Sequence, residues 1–304
     1  MIIICDECKT RHQLDDHLIT KPLFKVRCSK CKHIFSIDLS PKEDIVELNQ
    51  TIEKSDKKVI AICNQKGGVA KTSTCLNLGV SLSLSGKRVL LIDFDAQANL
   101  SLLLGKNNEP SFYEVAQKQI AFSKAIKNVY PNVWLLPANS RIALLARQAL
   151  QNPKEFDGFL HNTLDPIKSH FDYILIDTPP SVKFFTPHAL MAADFVIIPT
   201  QCEFLAMNGV IQMESIIRAL SNANHPLDYR ILVTLYDEKN TASKVIYAKL
   251  KAKFTNKVFD TVISLDYKMQ ESQIVNEPLI HYDPNSKAAK QYRELAQKVE
   301  SVLR

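Results

Sequence analysis

The stretch that most constrains this chain runs from 58 to 77 and reads KVIAICNQKGGVAKTSTCLN. Val59-Ile60-Ala61-Ile62-Cys63 is a short apolar run that predicts a buried parallel strand. The glycine pair Gly67-Gly68 follows, and Lys71-Thr72-Ser73 opens a helix. A strand, a glycine turn and a helix N-terminus in that order form an anion cradle. The glycines let backbone N–H groups curl around a phosphate, and the helix end adds partial positive charge. In such a cradle Lys71 reaches the β- and γ-phosphates and the Thr72 hydroxyl ligates Mg²⁺. The strict GxxxxGK[ST] pattern fails, because Gln65 and Ala70 stand at its two glycine positions.

What remains, Lys66-Gly67-Gly68-Val69-Ala70-Lys71-Thr72, carries a second lysine at the loop entrance. It resembles the deviant Walker A loop of the ParA/MinD group. That resemblance implies that Lys66 crosses a dimer to the partner's phosphates, and that the backbone from Gly67 through Val69 and Ala70 to Ser73 wraps the nucleotide. Ala70 departs from the family's glycine.

Two further stretches extend the likeness. Arg88 to Asp95 reads as a buried strand ending in the carboxylates Asp93 and Asp95. Acids at the C-terminal edge of a parallel strand beside a phosphate loop face the nucleotide. Asp93-Phe94-Asp95-Ala96-Gln97-Ala98-Asn99 is similar to the family's DxDPQxN motif, with Ala96 and Ala98 in place of its proline and glycine. The resemblance implies that Asp95 positions the attacking water and that Asp93 supports the Mg²⁺ and lysine network. Phe171 to Ser181 reads as a Walker B strand, whose terminal Asp177 holds Mg²⁺. Its Thr178-Pro179-Pro180-Ser181 matches the family's DxPPS segment.

The N-terminus is a unit of its own. Cys5-x2-Cys8 and Cys28-x2-Cys31 stand 19 residues apart, a spacing suited to a four-thiolate Zn²⁺ site. His12, His17 and His33 are alternative ligands, but four cysteines already fill a tetrahedron. So short a segment cannot bury a sufficient core, so metal binding supplies much of its folding energy. The stretch resembles a bacterial zinc ribbon. The expected organisation is a ribbon at 1–39, a polar linker at 40–57 and an ATPase body at 58–304.

Length, composition and charge fit this plan. The chain has 304 residues, 46% hydrophobic and 23% charged, with net charge +6. No run of 18 apolar residues suggests a membrane span, and the first residues turn charged too early for a signal peptide. A cytosolic setting with reduced cysteines is expected.

Downstream, residues 193–203 read as a strand and loop, and Gly209 opens a helix reaching Leu220. Residues 241–257 hold Lys244, Lys249, Lys251, Lys253 and Lys257 without an acid, around the apolar stripe Ile246, Leu250 and Phe254. With Lys268 these are candidate contacts to non-specific DNA. Two arginines that grip DNA in the family are replaced, one by Lys239 or Lys268 and one by Leu265. The segment around Pro284 resembles the adenine border of these ATPases. The closing helix carries Tyr292, Leu295, Val299 and Val302 on one stripe, which suits docking on the body better than a membrane.

The reading is a doubly wound, mostly parallel α/β P-loop NTPase of the ParA type, led by a zinc ribbon. The resemblance implies a homodimer closed by ATP, slow hydrolysis stimulated by a ParB-like or other activating protein, and the positioning of a cargo along DNA. The alternatives are a MinD-like membrane-associated ATPase, an iron–sulfur carrier, and a ribbon-led ATP clamp with little turnover. Cys63, Cys75 and Cys202 stand in the wrong places for the iron–sulfur reading.

Overall fold

The structure is a computed structural model; it describes residues 2–5, 7–8, 10–13, 23–38, 57–203, 205–222 and 225–303. Chain contacts divide it into two compact units, Met1–Ile45 and Val46–Arg304. The segment 17–19 and the expected linker, apart from Lys57, lie outside the described residues.

The first unit consists of two hairpins. β1 (Ile2–Ile4) pairs antiparallel with β2 (Arg11–Gln13), and β3 (Leu23–Arg27) pairs antiparallel with β4 (Ile34–Asp38). Each hairpin places one CxxC pair at a turn, and Val26 and Phe35 pack with the cysteines.

The second unit is built on a seven-stranded sheet ordered β11-β10-β5-β9-β6-β8-β7. β5 (Lys58–Ile62) sits at its centre and leads through the glycine loop into α1 (Lys71–Ser83). β6 (Val89–Asp93) is followed by the short α2 (Asn99–Leu103), α3 (Phe112–Ala116) and α4 (Phe122–Ala125). β7 (Lys127–Tyr130) and β8 (Val133–Leu136) form the one antiparallel pair of this sheet, with β7 at the edge. α5 (Ala143–Gln151) and α6 (Phe159–Leu164) precede β9 (Tyr173–Asp177), and α7 (Phe185–Ala192) precedes β10 (Phe195–Thr200). Then come α8 (Ala206–Leu220), β11 (Asp228–Val233), α9 (Thr241–Lys253), α10 (Lys268–Ile274), α11 (Leu279–Tyr282) and α12 (Lys287–Val302).

The central strands are apolar on both faces because both faces are covered. Val59, Ala61, Leu90, Ile92, Ile174 and Ile176 face a core closed by α3 and α5 to α9. Their neighbours Ile60, Ile62, Val89, Leu91 and Leu175 face a second core under α1, α11 and α12. This alternation is the period-2 strand pattern carried through a three-layer sandwich. Helix α1 lies close on the sheet: a Cβ at Gly79 would stand 2.5 Å from Leu91 Cδ2. Glycine at this position sets the depth of the helix that carries Lys71 and Thr72.

Several expected boundaries shift. Helix α8 starts at Ala206, so Gly209 lies in its first turn rather than opening it. The closing helix docks through buried Tyr292, Leu295 and Val299, but Val302, its last residue, is exposed. No helix among the described residues is long and apolar enough to cross a membrane.

Candidate functional site

Strands β5, β6 and β9 end side by side, and their register pairs Ile62 with Asp177 and Asp93 with Asp177. Three motifs far apart in the chain therefore meet at one sheet edge. They surround a cavity of about 380 Å³ lined by Gly67, Gly68, Lys71, Thr72, Asp95 and Thr178, among others.

The loop leaving β5 is tied to the strands beside it. Asn64 donates to Pro199 O at 2.7 Å and accepts from Lys66 N–H at 3.0 Å. Gln201 donates to Gly68 O at 2.7 Å, and the buried Thr234 hydroxyl donates to Val69 O at 3.1 Å. The last two bonds take up the carbonyls of Gly68 and Val69, while the Lys66 N–H is spent on Asn64. Gly68 has φ of 74°. Ala70 has φ of 61° and ψ of 35°, the left-handed conformation that glycine adopts freely. Alanine keeps the glycine geometry there at a cost of roughly 1 kcal/mol. The same happens at Ala98, with φ of 51°.

Lys71 is 7% exposed, and its Nζ donates to Lys66 O at 2.9 Å, across the mouth of the loop. Burial lowers its pKa, while Asp177, Cys63 and Asp95 act in the opposite sense. Burial also raises Asp95, against the Gln97 N–H and Lys71. Asp177 is buried and its Oδ1 has no hydrogen-bond partner among the described residues. Burial first, then Asp93, raises its pKa well above the ordinary carboxylate value, and the Thr72 hydroxyl bond opposes this. An orphaned carboxylate oxygen beside a threonine hydroxyl, under a phosphate-sized cavity, fits a divalent cation.

Asp93 points away from Lys71. Its carboxylate accepts from Ser101 N at 2.8 Å, Ser101 Oγ at 2.7 Å and Asp95 N at 3.2 Å. Ser101 Oγ in turn accepts from Ala138 N at 2.9 Å. These bonds tie Asp93 to the turn that presents Asp95, and none of them joins it to Lys71. Full burial pushes its pKa up to about 6 despite these bonds.

Lys66 stands at the entrance, bonded to the Glu203 carboxylate of the same chain. Val69 is buried beneath the loop, and Pro284 is not among the residues lining the cavity. Gln273 of α10 does line it and donates to Ser73 Oγ at 3.1 Å. Gln201, Glu203, Thr234 and Gln273 were not singled out in the sequence. The first three lie just beyond β10 and β11, where the strand-end rule that selected Asp93 and Asp177 also points.

Of the lysines proposed for DNA, Lys244, Lys249 and Lys253 are exposed and form no ion pair among the described residues. Lys251 pairs with Asp260, Lys257 with Asp228 and Lys268 with Glu271.

In the first unit, the sulfurs of Cys5, Cys8, Cys28 and Cys31 all lie within 4.8 Å of one another. Cys5 and Cys31 are 3.6 Å apart and Cys8 and Cys28 3.5 Å. Zn–S bonds of about 2.3 Å in a tetrahedron place sulfurs about 3.8 Å apart, so the four thiols fit Zn²⁺. His33 stacks on Phe35 instead of joining them.

Family models match segments of the chain that contain each site. The family model described as a zinc-ribbon domain matches residues 1–36, and the one described as an AAA domain matches residues 57–229. Chromosome partitioning protein ParA of Caulobacter vibrioides is 34% identical over 250 residues, covering 80% of this chain and 93% of that protein. Sporulation initiation inhibitor protein Soj of Bacillus subtilis is 35% identical over 248 residues, covering 80% and 98%. The chain belongs to the ParA/Soj family. Its body is accordingly a P-loop ATPase of the partitioning class. Among solved structures, a Borrelia burgdorferi putative plasmid partition protein bound to AMPPNP matches with a TM-score of 0.69 and 25% identity, covering 82% of this chain and 99% of that one. A Mycobacterium smegmatis protein named cobyrinic acid a,c-diamide synthase, with bound ADP and magnesium, matches with a TM-score of 0.69 and 32% identity. It covers 80% of this chain and 94% of that one. The ParA/Soj assignment thus rests on both sequence and fold.

Proposed function

We propose that this ParA/Soj-family chain is an ATP-driven dimerising switch that positions a cargo by cycling on and off non-specific DNA. The observation that carries the reading is the convergence of Lys71, Thr72 and Asp95 on one cavity beside an Asp177 oxygen that has no hydrogen-bond partner among the described residues. The proposed organisation is a ribbon at 1–39, a linker at 40–57 and a body at 58–304.

The loop N–H groups from Gly67 to Thr72 hold the phosphates, and Lys71 exchanges its bond to Lys66 O for a γ-phosphate oxygen. Mg²⁺, when bound by Thr72 and Asp177, neutralises charge on the β- and γ-phosphates. Asp95 orients water for in-line attack, and Asp93 with Ser101 keeps Asp95 in place. Lys66 leaves Glu203 and crosses to the partner's phosphates, so ATP closes the homodimer and hydrolysis opens it. There is little covalent chemistry to perform; positioning and charge stabilisation do the work. A site whose lysine comes from the neighbour turns over slowly until an activating protein aligns it.

DNA contact falls to Lys244, Lys249 and Lys253, joined by Lys251, Lys257 and Lys268 once phosphates replace their carboxylate partners. The ATP-bound form would then sit on the nucleoid in the cytoplasm. Size exclusion of Asp95→Ala with ATP, Mg²⁺ and duplex DNA tests the DNA step. Co-elution at low salt that vanishes at high salt and without ATP supports it. A dimer that ignores DNA rejects it and leaves the ATPase intact.

A further inference from the structure

The ribbon's second hairpin is two-faced. Strand register pairs Arg27 with Ile34, Val26 with Phe35 and Lys25 with Ser36. Alternation therefore sends Val26 and Phe35 to one face and Lys25, Arg27 and Ile34 to the other. Phe35 is buried against Cys5 and Cys28, with Val26 alongside. Lys25 and Arg27 on the opposite face are exposed, as are Lys30 and Lys32 at the turn between the strands. Residues 21–38 hold five lysines and arginines against one carboxylate, Asp38 at the end of β4, which the register places on the same face. Among the described residues none of these four cations forms an ion pair; Lys32 Nζ only donates to Ser29 O at 3.0 Å.

From this we infer that the outer face of the β3–β4 hairpin is a nucleic-acid contact that works without ATP, separate from the ATPase body. Four thiolates around one divalent ion would leave two negative charges beneath the hairpin and Asp38 adds a third, against the five lysines and arginines of residues 21–38. The surplus is surface charge seeking a polyanion. A protein interface of ordinary kind wants a desolvated apolar centre with aromatic anchors. Among the residues whose side chains are described, this face offers Ile34, half exposed, while Phe35 turns inward. Backbone phosphates need only positioned cations, and a contact of this sort carries little sequence information. The inference does not depend on the proposed DNA step of the body, because that step requires ATP and this one does not.

The test uses the full zinc-loaded chain, nucleotide-free, with a short duplex of arbitrary sequence. Four phosphate contacts predict a slope of log affinity on log salt near −3.6, so about a hundredfold loss between 50 and 200 mM salt. The variant Lys25→Gln/Arg27→Gln/Lys30→Gln/Lys32→Gln, with zinc content unchanged, should bind at least tenfold more weakly at low salt and lose most of that slope. ATP-dependent binding by its body should persist. A nucleotide-free chain that ignores duplex, or a variant that binds as the wild type does, overturns the inference. So does a chain that binds poly-glutamate and not duplex, which would mark the face as a site for acidic proteins.

Discussion

Lys66, the lysine expected to serve a partner's active site, is held by Glu203 of its own chain. Both side chains are partly exposed, at 36% and 52%, so the bond is worth at most about 1 kcal/mol. Glu203→Ala should release Lys66 and tighten the ATP-bound dimer by up to about fivefold. Sedimentation of the Asp95→Ala background with and without Glu203→Ala reads this directly. A weaker dimer would mean that Glu203 is itself a contact between subunits.

Ala70 holds a left-handed backbone at the foot of α1. Ala70→Gly relieves that strain, partly offset by the greater freedom of glycine in the unfolded chain. A gain of about 0.5–1 kcal/mol in urea unfolding is expected, with nucleotide binding kept. A loss of stability would show that the alanine methyl is packed in a way that outweighs its backbone cost.

Much of this site could be read in the sequence because its parts are local. Strand β5, the glycine pair and the start of α1 are contiguous, and the strands of the other two motifs are apolar runs that end in acids. The cysteine spacing likewise named a metal centre directly. What escaped depends on neighbours distant in the chain. Lys66 and Glu203 are 137 residues apart, and Val69 and Thr234 are 165. Edge strand β7 escaped because Lys127, Asn128 and Tyr130 show no apolar alternation; its antiparallel pairing with β8 defines it. The resemblance implies that Asp93 supports the Mg²⁺ and lysine network, but a motif does not say which way a side chain faces. The bonds from Ser101 show which way it faces.

Asp93 gives the fold a pH signature. Its folded pKa of about 6 lies above the ordinary 3.8, so the native state holds a proton that the unfolded chain has already released. Stability is therefore lost as pH rises from about 4 to about 6, by roughly 3 kcal/mol from this group. Denaturation of the nucleotide-free chain should show this decline, and Asp93→Asn should lose this group's share of it, keeping that of Asp95 and Asp177, while losing a constant amount for its altered bonds. Parallel wild-type and variant curves would contradict the assignment.

Removing the metal should separate the two units. Chelation is expected to abolish amide-exchange protection of residues 23–38, because among the described residues Phe35 and Val26 pack on the cysteines. The ATPase rate without DNA should not change. Protection that survives chelation would show a hairpin stable without its metal.

The central claim is that ATP closes a dimer in which Lys66 completes the neighbouring site. Analytical ultracentrifugation of Asp95→Ala with ATP and Mg²⁺, beside the same protein carrying Lys66→Ala, tests it most directly. The account predicts a species of twice the 34.4 kDa monomer for the first and an ATP-bound monomer for the second. A Lys66→Ala protein that still dimerises with ATP would contradict it.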